Sequence, residues 1–157
     1  MRKQIYKELI KHKHLFGKKY ELSLDVLNKI ILDLKKELIT GSVILVEGKR
    51  DVESLAQLGL QQTIIKYSEM GERRCLEYIE RNKVQKIIIL TDFDEEGENI
   101  LVRLEDKLEN TGVKIDKQYR KKFFETIRFC SNTIEGAIVL SDDIKRRQLF
   151  QNSLKQR

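Results

Sequence analysis

Two unbroken apolar runs constrain this chain more than any other feature. Residues 43–46 read VILV and residues 87–90 read IIIL. A strand with one face in water alternates apolar and polar residues, whereas a short run with no polar break is covered on both faces. Buried strands of this kind belong to parallel sheets with helices packed on either side.

The segments between and around these runs fit that architecture. From Ser23, read as an N-cap, Leu27, Ile30, Ile31, Leu34 and Leu38 recur at helical spacing until Thr40-Gly41 ends the helix. Residues 49–60 read as a helix stopped near Gly59. Residues 63–65 read as a second strand and 72–82 as a helix. After the third strand, at 86–90, comes an acidic turn and a helix carrying Ile100, Leu101, Leu104 and Leu108. Residues 113–115 read as a fourth strand and 119–127 as a helix. A further helix is expected to start near Thr133 and a last one at a Ser141-Asp142 cap. Strand and helix alternate with short connections, which predicts an α/β fold with a four-stranded, largely parallel sheet flanked by helices. A break in composition near Gly41 divides the chain into a basic helical N-terminal extension (1–41), an α/β domain (42–140) and a basic C-terminal helix or tail (141–157).

Both central strands end in acids. Glu47 follows the first run, and Asp92 and Asp94 follow the third strand in TDFDEEGE. In open α/β sheets, chemistry gathers beyond the carboxyl ends of strands. Carboxylates converging there repel one another unless a cation lies among them. Oxygen ligands without Cys or His suit Mg²⁺ or Mn²⁺. Residues two apart in an extended stretch point the same way, so Asp92 and Asp94 can face one ion. Asp94 is equally readable as a helix N-cap, and Glu95, Glu96 and Glu98 as first-turn acids favoured by the helix dipole. Gly97 leaves room at the mouth of that helix.

The net charge is +6 and the pI about 9.2. Lys and Arg crowd the N-terminal stretch, the segment KQYRKKFF and the tail from Lys145 onward. A polyanion, RNA or DNA, is the partner such a surface accommodates. Lys121 and Lys122 are the candidate phosphate-binding groups of KQYRKKFF. Lys49 and Arg50 stand beside the acidic strand end, either as phosphate-holding groups or as exposed first-turn residues of a helix. His12 and His14 read as part of an exposed basic arm, since residues two apart do not share a helix face. Phe123, Phe124 and Phe129 read as core, with base stacking by one of them as the alternative, and Glu135 reads as a helix-start residue, with an additional acid near the site as the alternative. Cys75 and Cys130 lack metal-site spacing and read as packed or idle thiols. No apolar run approaches the roughly 20 residues of a membrane helix, and the charged N-terminus lacks the oily core of a signal peptide. A cytoplasmic protein without membrane contact is expected.

VEGKRDVESLAQLG followed by IIILTDFDEEGENI resembles the Toprim domain, shared by type IA and type II topoisomerases, bacterial-type primases, some nucleases and small stand-alone proteins. The family signature is a glutamate after the first strand and D-x-D after the third, matched here by Glu47, Gly48, Asp92 and Asp94. DFDEEGE is similar to the type IA topoisomerase form, with Glu96, Gly97 and Glu98 in register. Phe93 and Glu95 replace a proline and an arginine common in that form. The resemblance covers about residues 42–140 and implies a Rossmann-like Toprim sheet. It implies further that Asp92 and Asp94, with Glu47, hold Mg²⁺ or Mn²⁺, and that Glu47 does acid–base work at a phosphodiester.

Strand passage is not expected, because the five tyrosines have no large nucleophile-bearing domain behind them. A complete primase is not expected either, for want of a zinc-binding or helicase-binding domain. Two readings follow. One is a metal-dependent, nuclease-like phosphodiesterase acting on RNA or DNA. The other is a non-catalytic nucleic-acid-binding subunit of a larger processing complex with protein partners, or a primase-related protein.

Overall fold

The computed structural model of the protein describes residues 2–155, with the side chains of all of these except Leu15, Phe16, Lys19, Ile144, Arg147 and Gln148. The last two residues of the basic tail, Gln156 and Arg157, lie outside the described residues.

Among the described residues the elements run in the order α1 (Arg2–Ile39), β1 (Val43–Val46), α2 (Lys49–Gln57), β2 (Ile64–Lys66), α3 (Tyr67–Arg81), β3 (Lys86–Ile89), α4 (Glu95–Leu108), β4 (Lys114–Asp116), α5 (Gln118–Ile127) and α6 (Glu135–Lys155). The four strands form one sheet in the order β2-β1-β3-β4, and every pairing is parallel. This is the four-stranded parallel sheet flanked by helices that the apolar runs predict, with a helical N-terminal region. Strand order reverses direction at β1: the chain moves to β2 on one side, then crosses to β3 and β4 on the other. The crevice between the carboxyl ends of β1 and β3 is therefore a topological switch point. Leu45 is in register with Ile89, and Leu90 donates its N–H to the Leu45 carbonyl at 2.8 Å, so the residues that follow the two strands emerge side by side.

The unbroken apolar runs divide between the two sheet faces, as the two-residue strand period requires. Ile44, Val46, Ile88 and Leu90 pack with residues of α1, α2, α5 and α6, including Leu27, Leu34, Leu55, Phe124 and Ile138. Val43, Leu45, Ile87 and Ile89 pack with Cys75 and Ile79 of α3 and with Ile100, Leu101 and Leu104 of α4. A central strand enclosed this way leaves no residue facing water, and all four residues of β1 are buried.

Two cap expectations are corrected. Ser23 does not begin a helix. Arg2–Ile39 is helical on either side of a kink at Gly17, whose φ/ψ of 8°/−83° is non-helical, and Ser23 lies within the second segment. Ser141-Asp142 does not begin one either, because α6 runs unbroken from Glu135 to Lys155. In both places a helix-compatible serine is carried along by apolar neighbours: Tyr20, Leu24 and Leu27 in α1, and Ile138, Val139 and Leu140 before Ser141. The N-cap preference applies only where the residue itself has non-helical φ/ψ. The 72–82 helix begins a turn early, at Tyr67, and is interrupted at Gly71 (φ 73°), a left-handed conformation that glycine adopts without a Cβ penalty. His12 is not part of an exposed arm: it is half-buried and stacked on Phe129, with ring centroids 3.9 Å apart and planes 17° apart. His14 is exposed. Among the described residues no helix is long and apolar enough to cross a membrane.

Candidate functional site

Glu47 leaves the sheet one residue after β1, and its side chain turns toward β3. Its Oε1 accepts the N–H of Asp92 at 3.0 Å. The two acidic strand ends are thus tied together by a side chain from one and the backbone of the other. Behind Glu47, Gly48 forms the N-cap of α2, and its N–H donates to Asp51 Oδ2 at 2.9 Å. The Glu47 carbonyl accepts from the Ser68 N–H at 2.8 Å, which holds the start of α3 against the same corner.

The far side is built by the turn from β3 into α4. Thr91 is fully buried and donates its hydroxyl to the Gly97 carbonyl at 2.8 Å. Asp94 is the N-cap of α4, its Oδ1 accepting from the Gly97 N–H at 2.8 Å. Gly97 is required by close approach. A Cβ there would stand 2.0 Å from the Asp92 carbonyl oxygen and 2.8 Å from Glu47 Oε1. The missing side chain lets the first turn of α4 sit directly on the strand end.

A cleft of about 860 Å³ opens over this corner. Its floor is Glu47, Gly48, Asp51 and Asp92, and Lys49 and Arg50 rise on one wall. The rim is closed by elements distant in sequence. Arg2, at the start of α1, donates to Glu135 Oε1 at 2.9 Å and reaches Gln57 of α2 at 3.5 Å. Glu135 therefore starts a helix, as expected, and also lines the cleft.

The electrostatics of the floor are strained. Burial pushes the Asp92 carboxyl up to about 7, and the like charges of Asp51, Glu47 and Asp94 add to the shift while Arg120 opposes it. Burial also raises Glu47, opposed by the Asp92 N–H bond and reinforced by Asp94, Asp51 and Glu96. Asp51 is raised by burial, against its bonds from the Gly48 and Glu47 backbones. Asp92 Oδ1 is buried and has no hydrogen-bond partner. A buried anionic oxygen without a donor is costly unless something positive reaches it.

The donor chemistry fits a hard cation. The oxygens of Glu47, Asp92 and Asp94 suit Mg²⁺ or Mn²⁺, and Mg²⁺ is usually held by one or two carboxylates, retained waters and substrate phosphates. Among the described residues no group of three or more His, Cys, Asp or Glu side chains is gathered into a ready-made cage. Asp94 accounts for part of this. It is exposed, one of its oxygens is engaged by the helix cap, and it faces the adjoining groove with Tyr67, Glu96 and Arg103. The N-cap reading of Asp94 holds: it caps α4, and its charge adds to the shift on Asp92.

The structure brings Glu47, Asp92, Lys49 and Arg50 to one cleft, with Asp94 at its edge. It does not bring Lys121 and Lys122 there. Both are exposed on α5, and Lys122 lines a separate groove with Leu22, Ser23 and Val26 of α1. Phe123 and Phe124 are core, and Phe129 packs against it half-buried. Both cysteines are free, and burial pushes the Cys75 thiol up to about 11 and that of Cys130 up to about 12. Neither is a thiolate nucleophile at neutral pH.

Two residues at the site are not visible from the motifs. Asp51 is one; the reading of residues 49–60 as a plain amphipathic helix passes over it, although an acid at the third helical position is a capping signal. Arg120 is the other. It lies within KQYRKKFF, where the crowded cations read as one basic surface. Its spacing of three, four and seven from Phe123, Phe124 and Ile127 puts it on the buried face of α5, and its side chain is 5% exposed.

A model of the Toprim domain matches residues 42–126. The chain is 30% identical over 105 residues to a UPF0292 protein of Methanocaldococcus jannaschii, covering 67% of this chain and 78% of that one. It is 31% identical over 106 residues to a UPF0292 protein of Methanosarcina acetivorans, covering 66% and 71%. Among solved structures, a protein from Aquifex aeolicus superposes with a TM-score of 0.55 at 29% identity, over 66% of this chain and 92% of that one.

Proposed function

The chain belongs to the Toprim family, and from that premise we propose that its cleft performs Mg²⁺-dependent phosphodiester chemistry on RNA or DNA, in the manner of a nuclease. Nucleic-acid-related, metal-binding function comes with the family, and Mg²⁺ is the ion Toprim domains generally bind. The observation that carries the finer reading is Asp92 Oδ1, buried and unpartnered at the switch point beside Glu47.

Asp92, with Asp94 and Glu47, would hold the ion. Bound there, it would supply Lewis-acid polarisation of a phosphoryl oxygen and charge stabilisation of the leaving oxygen. The chain's own residues divide the remaining work. Glu47 is oriented by the Asp92 N–H, which leaves its second oxygen for a proton at the reacting group. Its raised proton affinity suits a group that must take up and release a proton. Lys49 and Arg50 line the same cleft and would bind flanking phosphates; Arg2 lines it too, paired with Glu135. Lys121 and Lys122 lie outside the cleft and would serve only a strand long enough to cross α5. In this reading the protein works with nucleic acid in the cytoplasm, with any partner proteins docked outside the cleft.

Replacing both aspartates tests the metal assignment. The Asp92→Asn/Asp94→Asn variant is expected to lose Mn²⁺ binding measured by water-proton relaxation. Unchanged binding would refute the assignment. The second reading, a binding subunit without catalysis, is favoured by one observation: Asp94 spends an oxygen on capping α4 and faces a neighbouring groove. Under it, nucleic acid binds with a steep salt dependence but is not cut.

A further inference from the structure

We infer that Arg120 is a positioning residue of the metal centre and that Glu98 is its counter-ion, not a metal ligand. The inference rests on the metal reading above and adds to it a residue from α5 that the strand-end motifs do not contain.

Arg120 reaches from α5 under the β3–α4 turn and uses every edge of its guanidinium. Nε donates to the Thr91 carbonyl at 2.9 Å and Nη2 to the Asp92 carbonyl at 2.7 Å. Nη1 donates to Glu98 Oε2 at 2.7 Å. The Phe93 ring lies 5.0 Å from the guanidinium carbon and stacks in turn on Phe124. A buried cation must be both hydrogen-bonded and neutralised. The two carbonyls supply acceptors, and Glu98, in the first turn of α4, supplies the charge.

The consequence falls on Asp92. Its N–H is held by Glu47 Oε1 and its carbonyl by Arg120. The peptide planes on both sides of its Cα are thereby fixed, and so is the direction in which its carboxylate leaves the backbone. Thr91, one residue earlier, is held in the same way from its own carbonyl. Metal affinity depends on this sort of outer support, because a ligand free to swing loses orientation and entropy on binding. Lysine cannot replace the fork. Its single ammonium has no planar set of donors to span two carbonyls and a carboxylate at once. Glu98 with an oxygen on Arg120 is occupied in a structural pair, which separates it from Glu95 and Glu96 of DEEGE.

The test is Mn²⁺ affinity by water-proton relaxation on wild type, Arg120→Lys, Arg120→Met, Glu98→Gln and Asp92→Asn, with circular dichroism to verify folding. Arg120→Lys is expected to fold and to bind Mn²⁺ about 10–100-fold more weakly, the range typical of lost outer-sphere support. Arg120→Met should lose at least as much. Glu98→Gln keeps an oxygen acceptor for Arg120 and should bind Mn²⁺ close to wild type, unlike Asp92→Asn. Should Arg120→Met fail to fold, the lysine and Glu98→Gln variants decide the matter. Folded Arg120→Lys with wild-type affinity would overturn the positioning role. Glu98→Gln losing as much as Asp92→Asn would overturn the counter-ion role and make Glu98 a ligand. A wild type that binds no Mn²⁺ would overturn the metal reading itself, and this inference with it.

Discussion

Asp92 is the central residue of the proposed site, and its protonation is open to direct test. In the unfolded chain its carboxyl titrates near the ordinary value of about 3.9; in the folded protein burial and three neighbouring acids push it up to about 7. Between those values the folded state binds the extra proton, so this group's contribution to stability falls as pH rises through the window and levels off above it. Asp92→Asn removes that penalty. In EDTA the variant should melt above wild type at pH 8, and the gain should shrink as pH approaches 5. A gain independent of pH would contradict the assignment. Gly97→Ala should act in the opposite sense. Its methyl would collide with the Asp92 carbonyl and with Glu47, and overpacking of this sort costs about 1–3 kcal/mol, readable by denaturant unfolding. The placing of Glu47 and Asp92 side by side was legible in the sequence because each closely follows one of the two unbroken apolar runs, and such runs form the central strands. Arg120 was not, because charge counting hides one buried guanidinium among exposed lysines. Only the helical period relative to Phe123, Phe124 and Ile127 distinguishes it.

At the scale of elements, the strands were legible because an unbroken apolar run of four has few other uses, and β1 and β3 lie where those runs are. Helix ends were less so. Ser23 and Ser141 have the chemistry of caps, but the apolar faces of α1 and α6 pack against one another and against the sheet, and burial of a continuing face outweighs a cap worth about 1 kcal/mol. The separation of the two basic pairs onto α2 and α5 also became visible only with the fold. It leads to a distinct prediction for each pair. Lys49→Ala/Arg50→Ala should weaken binding of short and long strands alike and lower the salt slope by about 2, one for each phosphate no longer neutralised. Lys121→Ala/Lys122→Ala should leave a short oligonucleotide's affinity unchanged and weaken only strands long enough to pass over α5. Filter binding across a salt series distinguishes the two. Equal effects of the α5 pair on both lengths would place those lysines in the cleft.

For the whole molecule, the arrangement follows from the switch in strand order. The sheet places two acidic strand ends side by side, α4 closes one flank through Gly97, α5 braces the turn from beneath, and the starts of α1 and α6 meet over the cleft through Arg2 and Glu135. The cleft over the strand ends carries three cations, Arg2, Lys49 and Arg50, among six acids that include Glu47, Asp51 and Asp92; a concave acidic site of this kind is what the proposed metal-assisted reaction at a phosphodiester would use. The most direct measurement is incubation of wild type and Glu47→Gln with end-labelled single- and double-stranded RNA and DNA in Mg²⁺, Mn²⁺ or EDTA. Under the phosphodiesterase reading, wild type cleaves in the presence of metal and EDTA abolishes the cleavage. Glu47→Gln should cut slower by ~10²–10⁴, as loss of an acid–base group costs, while binding the same strands. Wild-type protein that binds nucleic acid but cuts none of the four with either metal would contradict it, and leave the cleft as a binding site alone.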